Sequence, residues 1–264
     1  MSKQTGLIKI KGKLGGVSFY RKGDTDFARM ANGPDKDRIS RDPAFARTRE
    51  NNQEFGGAAM AAKAFRLALG SVVKRMAGKQ LVQRTTKLFK EINRRGTGVR
   101  GQRGIKLSEN HEMVNSLELN TNPVFSSIFH VALGVVSTVD RSGATISFAQ
   151  FDPGIEVNAP SSATHFKLVC VLGLVSDFIF DSEAMRYTPE NDGMNSLNVI
   201  IEGAMMSVSD TIAAFDLVLS LDGAPTVPAE LTAVVGLGIE FYQRIGTGDY
   251  KLSQGNCMKL VAVF

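Results

Sequence analysis

The sequence has no tryptophan, two cysteines and three histidines in 264 residues. Each shortage closes off some chemistry. Cys170 and Cys257 show no C-x-x-C spacing, so a structural zinc site or a redox pair has no ligand set. Both lie in apolar, strand-like runs, where buried free thiols are expected; they pair only if the fold brings their strands together. His111, His130 and His165 lie far apart without metal-ligand spacing. Neither a G-x-S-x-G nucleophile turn nor an H-E-x-x-H helix occurs. Without tryptophan, and with only Tyr187, Tyr242 and Tyr250 besides Phe in the C-terminal part, a carbohydrate-binding platform has few rings to offer.

No run of about 18 apolar residues is present to cross a membrane as a helix. The first ten residues lack the apolar core of a signal peptide, and no N-x-[ST] sequon occurs. A cytoplasmic protein is the default expectation, with export by another route or incorporation into a virion as alternatives.

What is present suits a folded chain. A hydrophobic share of 43% against 22% charged residues allows one or two real cores. The 26 glycines imply many turns, and the 16 phenylalanines imply packing by Phe and aliphatic side chains.

The net charge of +5 conceals a steep asymmetry. Residues 1–108 hold 25 Lys and Arg against 8 Asp and Glu, a balance of +17, whereas 109–264 hold 6 against 18, a balance of −12. Such a split points to a polyanion, or to the opposite face of a neighbouring copy; head-to-tail contact of that kind builds rings or filaments.

Along the chain, Leu7-Ile8-Lys9-Ile10 and Val17 to Arg21 read as strands, with glycine turns between them and Lys22-Gly23-Asp24 turning into Phe27–Met30. A hairpin of this size must pack on something, and its edges are templates for a neighbour's sheet. Leu7, Ile8, Ile10, Val17 and Phe19 are therefore the candidates for strand exchange. Asp42-Pro43 starts a helix, Asp as N-cap and Pro at the first helical position. Gly56-Gly57 breaks it or permits a close crossing. Ala58–Met76 reads as the strongest helix, and Lys79–Arg95 as a third, with Leu81, Leu88 and Ile92 on one stripe and Gly96 as its stop.

After Ile105 the pattern changes to strands and frequent turns, as in a β-sandwich. Strands are expected within Phe125–Val139, broken near Gly134, and over Gly143–Phe151, His165–Val175, Leu197–Val208, Ala213–Leu221 and Ala233–Arg244. Gly246-Thr247-Gly248 reads as a hairpin turn, and Lys259–Phe264 as a closing strand. The expected fold is α+β, a basic hairpin-and-helix module over residues 1–108 followed by an acidic antiparallel β-sandwich over 109–264, one sandwich of roughly nine strands being preferred to two small ones.

Gly96-x-Gly98-x-x-Gly101 matches the dinucleotide fingerprint in letters only. That fingerprint needs a strand before it and a helix after it, and here a helix comes first. The run reads instead as a flexible basic loop. With α-helical neighbours it supplies Lys87, Lys90, Arg94, Arg95, Arg100 and Arg103 for a subunit contact or for phosphates. Single-strand binding adds stacking rings, for which Phe19 and Tyr20 are candidates. The carboxylate groups Asp24 with Asp26, Asp35 with Asp37, and Asp177 with Asp181 and Glu183 fall in turns, where Asp serves local hydrogen bonds.

The stretches Gly12–Tyr20 and Asp42–Asn52, with Glu54-Phe55-Gly56, resemble a family of Bacteroidota proteins sharing a GxxGGxSFY…DPxFxRTRENN signature. The likeness extends through Arg100–Arg103 and more weakly beyond. That family carries no established activity, so the resemblance implies a shared N-terminal module and transfers no functional residue. The sequence therefore points to a non-enzymatic structural subunit, without cofactor, metal or small-molecule substrate. Its expected partners are copies of itself in a filament, sheath or virion-like shell. The alternative is a nucleic-acid-binding or packaging protein.

Overall fold

The computed structural model describes residues 2–30, 34–223 and 226–264. It divides into two compact units, Met1–Arg49 and Glu50–Phe264. The division thus falls well before residue 108, for a reason visible in the larger unit: its helices share a core with the sheet.

The N-terminal unit is a four-stranded antiparallel sheet in the order β1-β4-β3-β2, formed by β1 (Ser2–Lys3), β2 (Gly12–Leu14), β3 (Val17–Lys22) and β4 (Thr25–Met30). The expected strand at Leu7–Ile10 is absent, and these residues form bends and irregular chain. A short helix α1 (Lys36–Arg41) follows, capped by the Asp35 side chain. Asp42 then caps a 3-10 turn over Pro43–Phe45, accepting from the Ala44 N–H at 2.9 Å, and the chain enters α2 (Ala46–Ala68).

In the C-terminal unit, α2 runs straight through Gly56-Gly57. The expected long helix over Ala58–Met76 is divided at Gly70, whose φ of +62° is left-handed, into α2 and α3 (Val72–Met76). Helix α4 (Leu81–Arg95) ends at Gly96 as expected, and buries Leu81, Thr85, Phe89 and Ile92. Leu88 is only partly buried beside them.

The sandwich follows. One sheet runs β10-β7-β12-β13, with β14 also on β12: β7 (His165–Ser176), β10 (Asn198–Ser207), β12 (Leu231–Ile245), β13 (Gly248–Lys251) and β14 (Cys257–Val263). The other runs β11-β6-β5, from β5 (Leu133–Ser137), β6 (Gly143–Phe148) and β11 (Phe215–Ser220). A ribbon of β8 (Phe178–Asp181) and β9 (Arg186–Pro189) stands apart. Phe125–Ile128 is a helical turn, α5, instead of the start of a strand, and α6 (Pro153–Glu156) is another.

Alternation along β7 shows how the layers form. Phe166, Leu168, Cys170, Leu172 and Leu174 face the β11-β6-β5 sheet, and Val169, Val171 and Val175 face the helices. The central sheet is thus covered on both sides, which explains the continuous apolar runs of β7 and β12. Helix α2 meets it through small side chains, with Ala58, Ala61, Ala62 and Ala68 fully buried. The approach is close enough that a Cβ at Gly173 would lie 2.0 Å from the Ala68 carbonyl oxygen. Gly57 plays the same part about three turns earlier on α2, a Cβ there falling 2.4 Å from the Tyr187 ring.

Candidate interaction surfaces

The basic cluster folds back on one acid. Glu54 sits on the buried face of α2, 1% exposed, and a buried carboxylate needs donors. It has four. Lys90 Nζ donates to Oε2 at 2.6 Å and Arg103 Nη2 to the same atom at 2.8 Å. Arg103 Nε reaches Oε1 at 2.8 Å, and the Gly101 N–H reaches it at 2.9 Å. Burial alone would raise the Glu54 pKa; the Arg103, Lys90 and Gly101 hydrogen bonds overcome it and hold the group at about 2.

These bonds order the Gly–Arg loop, contrary to its reading as flexible. Asn93 Nδ2 donates to the Arg103 carbonyl at 2.7 Å, and the Tyr187 hydroxyl to the same oxygen at 2.9 Å. Burial pushes the Tyr187 phenol up to about 12, keeping it a donor. Glu54, Asn93 and Tyr187 are the residues that sequence reasoning missed.

Of the six predicted basic contact residues, five have an acid partner within the chain. Lys90 and Arg103 hold Glu54. Arg94 pairs with Glu91 at 2.9 Å, Arg95 with Glu112 at 2.9 Å, and Arg100 with Glu50 at 3.5 Å. Among the described residues Lys87 has no such partner; it lies exposed on α4. Beside it a groove of about 630 Å³ runs between α2 and α4, floored by Phe55, Ala59 and Val82. Arg94, Arg95 and Arg100 remain exposed at their surface pairs, which contribute at most about 1 kcal/mol each and can exchange partners.

The N-terminal unit presents a different surface. None of its described residues is buried. Register places Val17 of β3 between Leu14 and Met30, and Phe19 between Gly12 and Ala28. Opposed residues share a face, so these side chains form an apolar patch on one side of the sheet, which Arg21 opposite Asp26 borders. Leu14 and Met30 are 66% and 65% exposed there. Of the five strand-exchange candidates, Val17 and Phe19 are strand residues, and β3 is already paired on both sides. Leu7 and Ile8 are exposed at 104% and 85%, and Ile10 at 42%, but in irregular chain. The open edges belong to β1 and β2.

Elsewhere, both thiols are fully buried and raised to about 12 by burial, and the two cysteines are unbridged. Glu240 is fully buried, bonded by Lys251 and by the Tyr242 hydroxyl. Among the described residues no cluster of three or more His, Cys, Asp or Glu is placed to hold a metal ion, and no helix is long and apolar enough to cross a membrane. Comparison of the chain with protein-family models, with curated proteins and with solved structures returns no match.

Proposed function

We propose that the chain is a non-enzymatic structural subunit that assembles with copies of itself, in a filament, sheath or virion-like shell. One observation carries this reading: the N-terminal sheet exposes an apolar face and contains no buried residue among those described. A sheet of two- to six-residue strands is marginal until a face is covered, and exposed apolar surface of this kind marks an interaction site. Charge favours a second copy as the cover. The strongly basic N-terminal part would meet the acidic part of a neighbour, whose residues 109–264 carry a balance of −12.

The alternative, nucleic-acid binding through Lys87, Lys90, Arg94, Arg95, Arg100 and Arg103, is weakened at Lys90 and Arg103, which are committed to the buried Glu54, while Arg94, Arg95 and Arg100 would have to exchange surface carboxylates. The test compares the sedimenting mass of the full chain with that of a chain lacking residues 1–30. Assembly through the N-terminal sheet predicts large species for the former and a folded, soluble monomer for the latter. Native-sized particles from the shortened chain would refute the N-terminal contact.

A further inference from the structure

The second face of the N-terminal sheet differs sharply from the apolar one. In the strand register Tyr20 lies opposite Phe27, and Phe27 opposite Lys3. One row along, Ser18 lies between Lys13 and Arg29; at the other end Lys22 lies opposite Thr25. All eight therefore project from one side. Among the described strand residues, that side has two aromatic rings at its centre, four cations around them and no carboxylate. Asp26 is opposite Arg21 and so belongs to the other side.

The rings are organised as a platform. Tyr20 and Phe27 stack with centroids 5.8 Å apart and planes 21° apart. The Arg29 guanidinium lies 5.6 Å from the Tyr20 centroid. A concavity of about 370 Å³ opens over Ser18, Tyr20, Lys22, Phe27 and Arg29.

We propose that this face binds single-stranded nucleic acid, stacking bases on Tyr20 and Phe27 while Lys3, Lys13, Lys22 and Arg29 meet the phosphates. Flat rings accept the π-face of any base, and cations at the rim follow the backbone. A duplex hides its base faces and offers the rings nothing. Four strands at about 4.8 Å spacing span about 14 Å, room for about two or three nucleotides. The site uses none of the helical arginines, and it leaves the apolar face for a neighbouring subunit.

The test uses nuclease-treated full-length protein and a fluorescein-labelled oligothymidylate of about twelve nucleotides, read by anisotropy. Binding should weaken as salt rises and should exceed binding to a duplex of the same length. Tyr20→Leu combined with Phe27→Leu should lower affinity at least about tenfold while leaving the salt slope unchanged. Tyr20→Phe should keep most of it. Lys22→Gln combined with Arg29→Gln should reduce the slope by about one to two, and this pair decides the matter if circular dichroism shows the leucine variant misfolded. The proposal is overturned by absence of single-strand binding, or by equal binding of duplex and single strand that ignores the ring substitutions. Loss of self-assembly in the leucine variant, without oligonucleotide binding by the parent, would equally overturn it and give this face to a neighbouring copy. Particle mass measured without oligonucleotide reports separately on the assembly reading.

Discussion

Glu54 and Arg103 lie 49 residues apart in the chain and meet through two hydrogen bonds of 2.8 Å, Nε to Oε1 and Nη2 to Oε2. With Lys90 added, one carboxylate fastens α2, α4 and the Gly–Arg loop together. Arginines that look available to a partner in the sequence are in part the clamp that holds the helical layer.

Removing that carboxylate's charge should be costly. Glu54→Gln leaves Arg103 and Lys90, 23% and 19% exposed at their side chains, without their anion. Breaking one side of a buried pair costs about 3–5 kcal/mol. Urea unfolding at neutral pH should show a loss of that order, and a loss below about 1 kcal/mol would mean that the clamp is not structural.

The same group sets an acid limit. Its folded pKa of about 2 lies below the ordinary 4.5, so its contribution is complete above about pH 4.5 and is lost as pH falls towards 2. The span corresponds to about 3 kcal/mol. Unfolding free energy followed from pH 6 to 2 should fall more steeply in the parent than in Glu54→Gln; parallel curves would contradict the assignment.

Gly56 and Gly57 are adjacent but should respond in opposite directions. A Cβ at Gly57 would strike the Tyr187 ring at 2.4 Å, whereas a Cβ at Gly56 has nothing within 4 Å. Gly57→Ala should destabilise by about 1–3 kcal/mol through overpacking. Gly56→Ala should stabilise by up to about 1 kcal/mol through helix propensity. Thermal melts of the two variants measure both, and a neutral Gly57→Ala would mean that α2 and β9 do not pack as described.

Neither cysteine should react in the folded protein. Both side chains are fully buried, and burial raises both thiols to about 12. A thiol reagent at neutral pH should label neither Cys170 nor Cys257 until denaturant is added, and then both. Rapid labelling of either without denaturant would contradict the burial.

The legible parts of the fold were local. Asp42-Pro43 and Gly96 signal helix ends through their own backbone chemistry. The apolar alternation from Phe166 to Leu172 marks a strand face, since its period is two. The α+β class with a hairpin and a sandwich follows from such signals. Phe125–Val139 misled because an apolar run has the same composition whether it lies in a turn of helix or a strand; here α5 takes the first part and β5 begins only at Leu133. Leu7–Ile10 misled because apolar composition does not by itself pair a strand; here these residues form bends and irregular chain.

The fate of the arginines was not legible, because Glu54 lies 36 residues from Lys90 and 49 from Arg103, and only the tertiary fold joins them. The close crossing at Gly57 was visible as one of two outcomes. Its partner Tyr187 was not, being far along the chain. Nor did charge counting reveal the two unlike faces of the N-terminal sheet, because a face depends on register as well as composition.

Self-assembly is the central claim, and the mass and shape of purified full-length protein test it most directly. Light scattering and negative-stain microscopy should be run on the same sample with and without nuclease. The account predicts large regular particles that persist after nuclease treatment. A monomer at all concentrations, or particles that collapse when nucleic acid is digested, would contradict it.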